Sequence, residues 1–105
     1  MTTFPDREKE FEARFKHNEE LKFKVTARRN RLLGLWAAER MGLSDAAADA
    51  YAKEVVETEL KGGDPKVVEK VCADLKAKGQ TCTPAQIRFE LKHFAERAKQ
   101  QIMQE

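Results

Sequence analysis

Few side chains in this chain are of the kinds that do chemistry. There are two histidines, His17 and His93, two cysteines, Cys72 and Cys82, and many carboxylates. The histidines are far apart in sequence and each is flanked by charge, the setting of a solvated helix face. An unperturbed imidazole titrates at about 6.5, so His17 is the candidate for a pH response near the N-terminus. The cysteines have no metal-ligand spacing and no histidine pair to complement them, and they read as buried thiols in a reducing compartment. The glycines occur singly or as Gly62-Gly63, which gives no phosphate-cradling loop, and no nucleophile elbow or paired-histidine helix is present. The carboxylates show no acid/base pair. The expectation is a protein that is not an enzyme and holds no metal.

The remaining chemistry is recognition. In "MTTFPDREKEFEARFKHNEE", Phe4, Phe11 and Phe15 fall within roughly 40° of one another on a helix. Everything between them is charged or small, with Glu10 and Arg14, and Glu12 and Lys16, at the supporting i,i+4 spacing. An isolated helix of this length is marginal in water, so residues 1–18 are expected to fray or be disordered when free. Burying three phenylalanines gives roughly 5–9 kcal/mol gross, from which ordering the segment subtracts several. That balance suits reversible docking, with the rings as anchors.

A second cluster, Arg28, Arg29 and Arg31 in "ARRNRLLGLWAAER", could hold phosphate or RNA, or could cover the rim of a core with its long stems. The rim reading is favoured, because no aromatics interleave with the arginines as single-stranded nucleic acid would require. Charged residues make up 36% of the chain, yet the net charge is only +2, which argues against a binder of nucleic acid by bulk charge. Residues 1–20 hold six acidic and four basic side chains, ahead of the basic block at Lys22–Arg31. No apolar run approaches a membrane span and no signal-peptide core is present, so a cytoplasmic protein is expected.

The elements that must position these residues are helices. Apolar positions recur at three and four, and β-branched residues are sparse. Gly42 with Ser44, then Gly62-Gly63 with Asp64-Pro65, then Gly79 with Thr83-Pro84-x-Gln86 supply stops and caps. The spacing predicts helices over about 19–41, 45–60, 65–78 and 84–103, each with one apolar stripe. Asn30 and Gly34 are poor helix formers in a strong helix, and Gly34 is expected to let another helix approach closely. The fold class expected is all-α: a compact four-helix bundle over 19–105, preceded by a mobile, partly helical segment over 1–18.

"TTF-DRE", "FEA-F-H--E", "ARRNRLLG-WAA", "YA--VV" and "VV-KV-ADL" together resemble the ζ-subunit family of alphaproteobacterial F-type ATP synthases, across essentially the whole chain. The resemblance implies an inhibitor whose N-terminal helix enters a catalytic α/β interface beside the γ shaft, blocking ATP hydrolysis. Carried over residue by residue, the inhibitory face is Phe4, Phe11 and Phe15, with Arg7, Glu8, Glu12 and Arg14 as charged contacts. The partners implied are the catalytic head and the γ subunit, with the protein peripheral to the inner membrane through them. No cofactor is required, although weak ADP or ATP binding on the bundle is also implied, with no residues assigned. Pro5 departs from the family pattern, standing where an acidic residue is expected, and it places the helix start there with Thr3 or Phe4 as cap. The competing reading is a helical adaptor or nucleotide-binding regulatory bundle whose N-terminal segment merely covers its own domain.

Overall fold

The computed structural model describes residues 6–105. Among them the chain is all-α, with α1 (Arg7–His17), α2 (Glu19–Arg40), α3 (Asp45–Ala77) and α4 (Pro84–Met103). Three of the four starts carry a side-chain cap, while Ser44 at the start of α3 makes no such bond. Asp6 caps α1, its carboxylate accepting from the Lys9 backbone N–H at 3.1 Å, so the cap lies beyond Pro5 and is neither Thr3 nor Phe4. Asn18 caps α2 in the same way, accepting from the Leu21 N–H at 2.9 Å. Thr83 and Gln86 exchange both bonds of a capping box at the start of α4, with Pro84 in the first turn.

The glycine pair at 62–63 divides α3 into two helical arms, at the place where the sequence puts a stop and a new start. Gly63 leaves helical geometry (φ 72°, ψ −163°), and α3 continues through Pro65 to Ala77 as a second arm set at an angle to the first. A single residue with positive φ breaks the hydrogen-bond ladder without a loop, which only glycine does at little steric cost.

α2 is the central element, packing against both α3 and α4. Leu33, Ala37 and Ala38 from α2 meet Val55 from the first arm of α3, Val67 and Val71 from its second arm, and Ile87 from α4, all fully buried. A Cβ on Gly34 would stand 2.6 Å from the Ala52 Cα, so α2 and the first arm of α3 cross almost backbone to backbone. Both cysteines are free thiols buried in this core. Burial and the Cys72 thiol beside it push Cys82 up to about 11. Among the described residues no helix is long and apolar enough to cross a membrane.

A docked helix as the candidate functional site

A second apolar cluster lies apart from the main core and positions α1. Phe11 is only 4% exposed, packed among Leu21 and Val25 of α2 and Ala98 and Ile102 of α4. Phe15 and Met103 close over the cluster from the side. Phe11 and Phe15, one helical turn apart, stack with centroids 6.2 Å apart and planes at 17°. Lys99 of α4 fastens the helix: its Nζ lies 3.0 Å from Glu12 Oε1 and 4.5 Å from the centre of the Phe15 ring. Burying one phenylalanine contributes about 2–3 kcal/mol, and a partly exposed ion pair about 0.5 kcal/mol. The seat is shallow, with open grooves along both flanks of α1, one lined by Glu8, Lys9 and Gln100, the other by Arg7, Glu10 and Lys24.

Of the residues expected to form a partner-binding face, Phe11, Phe15 and Glu12 are therefore brought together, turned toward the protein's own α2 and α4. Arg7, Glu8 and Arg14 lie on the exposed side of α1. Phe4 lies outside the described residues.

The arginine cluster is spent within the fold. Arg28 bonds Gln101 and Glu105, and Arg31 lies 3.6 Å from Asp49. Arg29, with its side chain 12% exposed, reaches Glu59 at 2.8 Å and Asp64 at 2.6 Å. Asn30, fully buried on α2, donates to the same Glu59 oxygen at 2.7 Å and accepts from Arg29 Nε at 3.0 Å. Burial raises Glu59, while the hydrogen bond from Arg29 holds Asp64 below its ordinary value. The four side chains tie α2 across the Gly63 kink. Sequence reading marked Asn30 only as a poor helix former. A buried amide on an apolar stripe was the available signal that polar partners would be found opposite.

Two grooves bear on the nucleotide that the resemblance implies. One, of about 320 Å³, lies at the far end of the bundle between Trp36, Arg40 and Phe89. Its guanidinium already sits 4.7 Å over the Trp36 ring, and the Glu90 carboxylate lines the wall. The other places Arg88 and Lys92 near Arg29, which is committed to its carboxylates, and it has no aromatic face. In the first groove the Phe89 ring is exposed while Arg40 is held over Trp36, and the second offers Arg88 and Lys92 without a ring; neither assigns a residue to a nucleotide. Among the described residues no cluster of metal-binding side chains occurs.

The molecule is thus a small helical protein with an N-terminal helix docked on a bundle. Residues 1–101 match the family model for the ATPase inhibitor subunit zeta, and the chain belongs to that family. It is thus an ATP-synthase inhibitor that regulates an enzyme and is not one, with the F-type ATP synthase complex as its partner. A solved solution NMR structure is similar, with a TM-score of 0.70 and 39% sequence identity over 80% of this chain and 96% of that one. No curated protein matches.

Proposed function

We propose that the protein blocks ATP hydrolysis by placing its N-terminal helix in a catalytic α/β interface of the ATP synthase head, beside the γ shaft. The observation that carries this is the stacked Phe11–Phe15 pair on a helix with a shallow seat. Two rings one turn apart are the anchors of helix-in-groove recognition, and Arg7, Glu8 and Arg14 beside them set register. A catalytic interface must close during turnover, and a helix wedged in it prevents closure. The bundle stays outside as the anchoring body, in the cytoplasm and peripheral to the membrane through its partner.

The test is deletion of residues 1–17, with inhibition of purified ATP synthase and helical content measured on the same preparation. Loss of inhibition by a folded bundle is the expected outcome. Because deletion uncovers Leu21, Val25 and Ile102, the double charge reversal Arg7→Glu/Arg14→Glu in the full chain serves as the second variant. It leaves the seat untouched and should raise the concentration needed for inhibition. Full inhibition by the folded truncated bundle would remove the N-terminal helix from the mechanism.

A further inference from the structure

The rings that anchor α1 in the proposed inhibited complex are the ones buried against α2 and α4. Docked and inserted states therefore exclude each other, and the connection between α1 and α2 shows how one becomes the other. A single residue separates the two helices. Asn18 stands at φ −119°, ψ 102°, extended between helical neighbours on both sides. Bringing that one residue to helical angles would join α1 and α2 into a continuous helix from Arg7 to Arg40. At 1.5 Å per residue, it would carry α1 about 16 Å beyond the start of α2.

Both states are internally satisfied. In the bent form the Asn18 side chain meets one of the free N–H groups of α2, that of Leu21, and Phe11 is buried. The last turn of α1 is basic, with Arg14, Lys16 and His17, and the first turn of α2 is acidic, with Glu19 and Glu20, so each helix end carries the charge its dipole favours. In the straight form the free carbonyls of α1 would pair with the free N–H groups of α2. The same charges would become neighbours, Lys16 with Glu19 and Glu20, and His17 with Glu20, at spacings of three and four. What the straight form loses is the Phe11 seat and the Lys99 contacts to Glu12 and Phe15.

We propose that Asn18 is a hinge and Lys99 a latch, holding α1 bent and its anchor rings hidden until straightening presents them to the ATP synthase. This rests on the insertion reading above and adds its regulation. A binding segment sequestered about nine-tenths of the time has its apparent affinity weakened about tenfold. Variants that release α1 therefore make a stronger inhibitor.

The experiment uses three variants of the full chain: Asn18→Ala, which removes the cap and favours helix through the joint; Lys99→Ala, which removes the latch; and Asn18→Asp, which keeps a capping side chain. Proximity of the Phe11 ring to the Ile102 methyls is read by NMR, and inhibition by titration against purified ATP synthase. Asn18→Ala and Lys99→Ala are expected to weaken the ring–methyl proximity and to inhibit at concentrations about three- to tenfold lower, with Asn18→Asp close to the parent chain. If Asn18→Ala keeps the proximity, the hinge is overturned. If either released variant folds yet inhibits no better than the parent, the sequestration is overturned while the insertion reading stands. A parent chain whose inhibition survives deletion of residues 1–17 overturns the insertion reading itself.

Discussion

Replacing Gly34 by alanine tests the packing at the centre of the bundle, because two effects of opposite sign meet there. Alanine is the better helix former, by about 1 kcal/mol in a helix interior. Against that, the new methyl would stand 2.6 Å from the Ala52 Cα, 3.1 Å from its Cβ and 3.3 Å from a Val55 methyl. The nearest obstacle is backbone, so no side chain can rotate to relieve it, and α2 and α3 must separate along their closest approach. Overpacking of this kind costs about 1–3 kcal/mol, and separation also loosens Leu33 and Val55 on either side. With the upper part of that range against the propensity gain, Gly34→Ala should destabilise the protein by about 1–2 kcal/mol. For a domain of this size that lowers the melting temperature by about 4–10 °C. Helical circular dichroism followed through thermal and urea unfolding reads it directly. Adding Ala52→Gly should restore only part of the loss, because it removes the Cβ but leaves the Cα. An unchanged or raised melting temperature for Gly34→Ala would refute the close crossing.

Two further outcomes concern titration. Asp64 is held low by Arg29, so its contribution to stability is present above the ordinary aspartate range and is lost as pH falls through its lowered folded value. Asp64→Asn should therefore lower the melting temperature modestly at neutral pH, with the difference from the parent closing in acid; a gap independent of pH would exclude the ion pair as its cause. Tyr51 is the one tyrosine; burial pushes its phenol well above the usual value, and the hydrogen bond it donates to Asp74 at 2.9 Å adds to the shift. Alkaline titration of phenolate absorbance should show no ionisation in the usual tyrosine range while the helices persist, and a normal curve in the unfolded chain.

The all-α class was legible because periodicity and punctuation agreed. Thr83, Pro84 and Gln86 are spaced as only a helix start requires, and they form that start. Gly34 was legible too, since a poor helix former in a strong apolar stripe has few reasons to be there other than proximity. The Gly62-Gly63-Asp64-Pro65 run announced a break, and Gly63 makes one, but the run does not say how closely the second arm follows the first. What decides is whether both arms can still bury Val55 and Val67 against α2, and that is a property of the packed structure. Leu21, Val25, Ala98 and Ile102 fall on the apolar stripes of α2 and α4. A stripe names a buried face and does not say which helix covers it, so their role as the seat of Phe11 could not be read. The Arg29–Glu59–Asp64 contacts join residues about thirty apart, beyond the reach of local pattern.

Trp36 has one more consequence. It is the sole tryptophan, capped by the Arg40 guanidinium on one face and met by the edge of Phe94 at 6.5 Å. It sits eleven residues along α2 from Val25, about 16 Å from the seat of α1. Its emission is therefore a private signal of the distal end: it should change when the bundle melts and stay constant while α1 comes and goes. A fluorophore placed on α1 would respond to both events, its seat being lost when the bundle melts. The chain thus carries its own internal reference, against which movement of the N-terminal helix can be separated from loss of the fold in one cuvette.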